Sequence, residues 1–378
     1  MSNPLKQLAE AGQSIWLDYM HRKLMEGGEL KRLVEEDAVT GLTSNPSIFE
    51  KAIGAGGDYD DRIKAALAAG VTDPMDIYER LAIKDIQDAA DQLKPVWDRT
   101  HGADGYVSLE VSPYLALDTD KSAEEAERLW KVVDRKNLMV KVPGTTAGGP
   151  AIRRLIGQGI NVNVTLLFAL NDYLEVAEAH LAGLEDFKAK GRDISTVHGV
   201  ASFFVSRIDT QIDKKIDERV KAGDPRSEEL KALRGKVAIA NAKIAYQRYI
   251  DMIGTSRWKA LSAAGAAPQR LLWASTGAKD PAYSDVLYVE SLVGPDTVNT
   301  MPTKTLEAFK DHGQVRQTLN EDVDAATDVL TAQAHLGLGL DDVTRELVTE
   351  GVKSFTESFD KLLGAVRSKR DEMMGKAA

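Results

Sequence analysis

Short apolar runs alternate with longer amphipathic stretches along most of this chain. Eight of the runs read as strands: SIWLDY (Ser14–Tyr19), AVTGLTSNP (Ala38–Pro46), GYVSLEVSP (Gly105–Pro113), NLMVKVPG (Asn137–Gly144), GINVNVTLLF (Gly159–Phe168), GVASFFVSR (Gly199–Arg207), RLLWAST (Arg270–Thr276) and DTVNTMP (Asp296–Pro302). They are rich in Val, Ile, Leu, Phe and Thr, and Gly, Pro or Asn punctuates their ends, as in strands buried on both faces. The stretches between them carry apolar residues three and four apart. In ALNDYLEVAEAHLAGLEDF, for example, Tyr173, Val176, His180, Leu181 and Leu184 share one helical face.

Between the second and third runs there is room for two helices. After the sixth run comes a highly charged excursion, IDKKIDERVKAGDPRSEELKALRGK, which predicts a solvated helical pair around a Gly-Asp-Pro turn. After the eighth run only helices follow. The last, GVKSFTESFDKLLGAVRSK, places Val352, Phe355, Phe359, Leu362 and Val366 on one face.

Eight successive β–α units predict an α/β fold, a single (β/α)₈ TIM barrel with extra helices; a doubly wound open sheet is the alternative. No G-x-G-x-x-G opens a helix after a strand, which counts against a dinucleotide fold. GAGG (Gly54–Gly57) and GTTAGG (Gly144–Gly149) lack the Lys-Ser/Thr of a phosphate-binding P-loop and read as loops. One unit over residues 1–378 is expected, with the excursion at about 210–235 and a C-terminal helical segment at about 341–372 that covers the barrel mouth. Deletion from Gly351 onward is then expected to impair activity more than folding.

With 378 residues, 43% of them hydrophobic, the chain can bury a large core. Its formal net charge of -10 argues against a nucleic-acid or anionic-membrane partner, both of which call for a basic field. The absence of cysteine excludes disulfides, thiolate metal sites and thiol catalysis. The opening MSNPLKQLAEAGQSIW has no apolar signal core, and no run approaches the ~20 residues of a membrane span. A cytoplasmic protein is expected. The six histidines fall in no HExxH or HxH spacing, and no metal or cofactor is expected. The oligomeric state, monomer or homodimer, is left open.

In a (β/α)₈ barrel the chemistry sits at the carboxyl ends of the strands. Those ends supply Asp18, then Ser44 and Asn45, Glu110, Lys141, Asn163 and Thr165, Ser202 with Arg207 just beyond, and Ser275 with Lys279 in the following loop. Each has an ordinary explanation. Lys141 could snorkel to solvent, and Asp18 or Asn45 could cap a helix. Asn163 and Thr165 could fill a polar barrel layer. Arg207 could pair with Asp209 or Asp213 on its own helix, and Ser275 and Lys279 could be plain loop residues. It is their coincidence at strand ends that points to a site.

Lysine is rarely buried unless something pairs with it or uses it. Lys141, among Met139, Val140 and Val142, suits Schiff-base catalysis, in which the neutral amine attacks a carbonyl. The resulting iminium is an electron sink that lets the C3–C4 bond of a ketose break. Such a reaction needs carboxylates to move protons, and Glu110 and Asp18 provide two from different strands. Asn45, Asn163 and Ser202 can hold sugar hydroxyls. Arg207, Ser275 and Lys279 suit a phosphate at the far end of the substrate.

SIWLDY, GLTSNPSIF, YVSLEVSP, LMVKVPGT, GINVNVTLLF, VASFFVSRID and NTMP, in this order, resemble the transaldolase family in its longer bacterial branch. The resemblance implies transfer of a dihydroxyacetone unit from sedoheptulose 7-phosphate to glyceraldehyde 3-phosphate in the non-oxidative pentose phosphate pathway. The products are erythrose 4-phosphate and fructose 6-phosphate, and the partners are small sugar phosphates alone. It implies Lys141 as the Schiff-base lysine and Asp18 as the acid/base in carbon–carbon cleavage. Glu110 is the acid/base acting through a water held with Thr165. Asn45, Asn163 and Ser202 contact the dihydroxyacetone part, and Arg207 and Ser275 the phosphate; Lys279 is added from its position in the strand-seven loop. Ser112 and Tyr114 stand where some members carry an acidic residue and an arginine. The alternatives are a Schiff-base aldolase that releases free dihydroxyacetone and, further off, a non-catalytic barrel that binds ligands.

Overall fold

The computed structural model describes residues 3–54 and 56–375. Met1, Ser2 and residues 376–378, at the ends of the expected unit, and Ala55 within GAGG lie outside the described residues. Eight strands, β1 (Gln13–Asp18), β2 (Val39–Thr43), β3 (Val107–Glu110), β4 (Leu138–Pro143), β5 (Val162–Leu167), β6 (Gly199–Phe204), β7 (Arg270–Ala274) and β8 (Thr297–Met301), close into a barrel in chain order. Every neighbouring pair is parallel, and β8 returns to β1. The (β/α)₈ expectation is met, and the open sheet is excluded by the β1–β8 pairing. All eight apolar runs became strands because helices cover their outer faces and barrel side chains fill their inner ones.

Register decides which side chains meet. Glu110 on β3 pairs with Lys141 on β4, which pairs with Asn163 on β5. In-register neighbours of a parallel sheet point the same way, so these three form one row. Deeper in the barrel Trp16 on β1 is in register with Gly41 on β2. A Cβ at Gly41 would lie 2.6 Å from the indole ring, so only glycine lets the strands close there.

β5 is irregular where it matters. Its pairing with β6 shifts between Val164 and Leu167, and Leu166 takes a left-handed backbone with φ of 59°. A bulge of this kind re-aims neighbouring side chains and recurs beside active sites.

Three features differ from the sequence reading. Three helices rather than two, Pro46–Gly54, Asp60–Ala68 and Pro74–Arg99, separate β2 from β3. GTTAGG is a loop only up to Ala147; Gly148 and Gly149 open the helix Gly148–Ile156, and Gly54 of GAGG ends the helix Pro46–Gly54. A Cβ on Gly148 would fall 2.0 Å from the Pro143 carbonyl oxygen, which accounts for a glycine where strand turns to helix. The charged excursion does form a helical pair, Ser206–Lys221 and Ser227–Lys231, with Asp224 at the turn held by Arg219. It is solvated on one side only, because Ile208, Asp209, Ile212, Asp213 and Ile216 are buried.

The last helix, Leu340–Met373, crosses the carboxyl ends of the strands. Gly351 abuts Leu166 of β5, and Phe359 meets Tyr78 and Tyr114 edge-on at 5.3 and 5.6 Å between ring centres. Further along, Lys369 Nζ lies 2.8 Å from Asp60 Oδ1. Phe355, Phe359, Leu362 and Val366 are buried and Val352 is half-buried.

Candidate active site

The end of β4 carries Lys141 into the barrel, where only 5% of the residue is exposed. Its Nζ donates to the Ser44 carbonyl oxygen at 3.0 Å and lies 3.5 Å from Glu110 Oε2. The second distance is an ion pair rather than a hydrogen bond. Glu110 is 8% exposed, and its Oε2 accepts no hydrogen bond among the described residues. Burial pushes the Glu110 carboxyl above its usual range; Lys141 opposes that shift and Asp18 adds to it.

Asp18, half-buried at the end of β1, accepts from Thr43 Oγ1 at 2.6 Å. Thr43 Oγ1 is itself 2.7 Å from Thr300 Oγ1. Burial pushes the Asp18 carboxyl up as well, opposed first by Lys141, then by the Thr43 bond, Arg207 and Lys279. Burial thus raises both carboxyls above the ordinary carboxylate range, and the Lys141 charge opposes the rise in each.

A polar chain lines the next sector. Ser202 Oγ donates to Asn163 Oδ1 at 2.6 Å, and Asn163 Nδ2 donates to Ser108 Oγ at 3.0 Å. Thr165, two residues along β5, is fully buried, and its hydroxyl has no partner among the described residues. Asn45 caps the helix Pro46–Gly54, accepting from Ile48 N at 3.0 Å through Oδ1. Its Nδ2 donates to no group among the described residues.

Arg207 opens the helix Ser206–Lys221. Its guanidinium lies 5.2 Å from the Phe204 ring centre and makes no hydrogen bond or ion pair among the described residues. Burial lowers its pKa, against the pull of Asp18 and of Glu350 on the last helix. The suggested pairing of Arg207 with Asp209 or Asp213 does not occur: those carboxylates accept from Tyr288 and Tyr283 instead. The physical reason is helical phase, since positions two and six residues on from Arg207 lie on the opposite face. Ser275, with φ of 56°, places its Oγ 2.9 Å from Ser206 Oγ. Lys279 is exposed, and its pKa is lowered by partial burial and by Arg207 and Lys51, against Asp18.

Asp18 therefore feels the charges of Lys141, Arg207 and Lys279, and Glu110 those of Lys141 and Asp18. Ser108 and Thr43 were not singled out from the sequence, and Ser44 was singled out without its carbonyl. Ser108 shares the β3 face of Glu110, two residues away, and period-two alternation could have found it. Thr43 and the Ser44 carbonyl are set by barrel closure and have no local signal. Tyr114 is exposed and donates through its hydroxyl to Asp360 of the last helix. No group of three or more potential metal ligands occurs among the described residues.

A buried lysine paired with a carboxylate at the carboxyl end of a parallel barrel fits the class of lysine-dependent enzymes of carbonyl chemistry. Comparison with known proteins narrows the class. Residues 15–366 match the family described as Transaldolase/Fructose-6-phosphate aldolase. The chain is 46% identical to the transaldolase of Trichodesmium erythraeum over 373 residues, covering 98% of each chain. It is 47% identical to the transaldolase of Thermobifida fusca over 367 residues, 97% of this chain and 98% of that one. It is 49% identical to transaldolase 2 of Streptomyces avermitilis over 364 residues, 96% of each. The chain belongs to the transaldolase/fructose-6-phosphate aldolase family. The resemblance read from the strand-end motifs is thereby confirmed. No helix among the described residues is long and apolar enough to cross a membrane.

Proposed function

We propose that this protein is a transaldolase that carries a dihydroxyacetone unit between sugar phosphates as a Schiff base on Lys141. The observation that carries the reading is Lys141 itself, buried within the barrel, 3.5 Å from Glu110 and electrostatically coupled to Asp18.

The Lys141 amine attacks the ketose C2, and loss of water from the carbinolamine gives the iminium. Asp18 takes the C4 hydroxyl proton while the C3–C4 bond breaks. Its electrons pass into the iminium, leaving an enamine on Lys141 and releasing an aldose, erythrose 4-phosphate from sedoheptulose 7-phosphate. The enamine then attacks the aldehyde carbon of glyceraldehyde 3-phosphate, Asp18 returns a proton to the new C4 oxygen, and hydrolysis frees fructose 6-phosphate.

Glu110 Oε2 and Thr165 Oγ1 are buried polar atoms without a hydrogen-bond partner among the described residues, a situation that a bound water or substrate hydroxyl relieves. That supports Glu110 as the group that moves protons through such a water during carbinolamine formation and hydrolysis. Asn45 Nδ2 and the Ser202–Asn163 pair face the dihydroxyacetone hydroxyls, and Arg207, with Ser275 and Lys279, takes the phosphate. We place this chemistry in the cytoplasm, where sugar phosphates are available to it.

The second reading, an aldolase that releases dihydroxyacetone to water, shares the same lysine, and the family description names both activities. One experiment separates the readings in two stages. The enzyme is treated with borohydride in the presence of fructose 6-phosphate and examined by intact mass and peptide mapping. A reduced adduct on Lys141 supports the site, whereas no adduct, or adducts scattered over surface lysines, overturns it. Product formation that depends on added aldose phosphate then supports transfer, and free dihydroxyacetone at full rate without acceptor supports the aldolase.

A further inference from the structure

Beyond Arg207, the helix Ser206–Lys221 has no part in the chemistry above, yet it carries two buried carboxylates, Asp209 and Asp213, one helical turn apart. Each is held in the same way. Asp209 Oδ1 accepts from Ala238 N at 2.8 Å and its Oδ2 from the Tyr288 hydroxyl at 3.0 Å. Asp213 Oδ1 accepts from Gly235 N at 3.2 Å and its Oδ2 from the Tyr283 hydroxyl at 2.6 Å. Gly235 has φ of 68°, and a Cβ there would lie 2.9 Å from Tyr283 Cζ, so the approach of that ring needs a glycine.

These bonds join two segments that both reach the barrel mouth. Asp209 and Asp213 belong to the helix that begins with Arg207. Tyr283 and Tyr288 belong to the β7–β8 connection, downstream of Lys279. The same segments are tied on the other side of Lys279, where Ser206 N donates to the Ser275 carbonyl at 3.1 Å and the two hydroxyls meet at 2.9 Å. Asp280, next to Lys279, accepts from Arg234 Nη2 at 2.8 Å. The segment that carries Lys279 is therefore tied on both sides to the helix that begins with Arg207, and burial and then the Arg207 charge lower the Lys279 pKa. Like charges stay together without an anion only when the scaffold holds them, and binding a dianion recovers that repulsion.

We propose that Asp209, Asp213, Tyr283 and Tyr288 are positioning residues that hold Lys279 beside Arg207 and thereby set the preference for phosphorylated over unphosphorylated sugars. The proposal rests on the reading of Arg207 and Lys279 as phosphate contacts. The phenylalanine variants keep the rings and remove only the donors.

The test compares glyceraldehyde 3-phosphate with glyceraldehyde as acceptor, fructose 6-phosphate being the donor. In the Tyr283→Phe/Tyr288→Phe double variant KM for glyceraldehyde 3-phosphate rises about tenfold, the scale of a misplaced charge-assisted contact, with KM for glyceraldehyde and kcat within about twofold of wild type. The same pair of substitutions in a Lys279→Met background produces no further loss of discrimination, because the network acts through Lys279. Arg207→Ala, run alongside, narrows the preference by itself. If Arg207→Ala leaves the preference unchanged, the phosphate site has been misassigned. If Arg207→Ala narrows it and the tyrosine variants do not, the positioning role is overturned. A uniform fall in kcat for both acceptors also overturns it, since that is what mere loosening of the fold would give. Should the double variant fail to fold, each single variant is read by the same criteria.

Discussion

Glu110 and Lys141 are register partners on adjacent strands, and the carboxylate oxygen that faces Lys141 Nζ at 3.5 Å has no hydrogen-bond partner among the described residues. A carboxylate this close to the amine can serve every proton transfer on the nitrogen side of the reaction. Glu110→Gln keeps the shape and removes the exchangeable charge. Schiff-base formation and hydrolysis in single-turnover kinetics should each slow by about 10²–10⁴-fold, the range of general acid–base catalysis. Lys141→Ala should abolish both turnover and the borohydride adduct. An unchanged Glu110→Gln rate would remove Glu110 from the mechanism.

Thr165 offers a cleaner separation of function from stability. Its hydroxyl is fully buried and has no hydrogen-bond partner among the described residues, so folding gains nothing from it. Thr165→Val preserves shape, and its Tm should equal or exceed that of the parent while kcat falls about tenfold or more through loss of one hydrogen bond to a water or substrate group. A drop in Tm with kcat intact would assign the hydroxyl a structural role.

The last helix is part of the core as well as a cover. Phe355, Phe359, Leu362 and Val366 are buried, and each contributes roughly 1.5–3 kcal/mol. Deletion from Gly351 onward should therefore lower urea stability as well as activity, the loss of activity being the greater. A gentler probe is Gly351 itself, where a Cβ would lie 2.8 Å from Leu166 Cδ2. Gly351→Val should cost about 1–3 kcal/mol by overpacking and, by displacing the β5 bulge next to Thr165, depress kcat beyond what Gly351→Ala does. Equal kcat in the two variants would uncouple this helix from the site.

Two histidines, His180 buried and His198 half-buried, predict an acid limit to stability. Burial lowers His180 to about 4, with the nearby His198 adding to the effect; burial likewise lowers His198 to about 4, helped by Arg270. Both values lie below the unfolded value of 6.5. Protonation therefore favours the unfolded chain. The contribution of each neutral ring is complete above pH 6.5 and is lost as pH falls through about 4. The urea midpoint should fall between pH 6.5 and 4 in the parent and fall less steeply in His180→Leu. Parallel curves would show that other groups set the acid limit.

Much of the fold was legible in the chain. All eight strands follow from short apolar runs ended by Gly, Pro or Asn, and the face of the Leu170–Ala189 helix, Tyr173 to Leu184, is buried as its spacing implied. These are local signals: burial on one face imposes a period of 3.6, and burial on both faces imposes a run. The site was legible for a similar reason. Lys141 stood out because an ammonium does not belong in such a run unless it is paired or used.

What the chain alone determined, then, is the list of strands and the charged residues at their ends. Only the tertiary structure decided which of them meet. Barrel closure put Glu110, Lys141 and Asn163 in one row and brought the Ser44 carbonyl to the amine. Helical phase turned Asp209 and Asp213 away from Arg207 and onto two tyrosines some 70 and 79 positions further along the chain. The left-handed turn at Leu166, which fits against Gly351, has no signature in the residues of β5. Each of these depends on strand register, helix rotation or backbone strain imposed by distant segments, and pairings between distant segments leave no mark in the local pattern of polar and apolar residues.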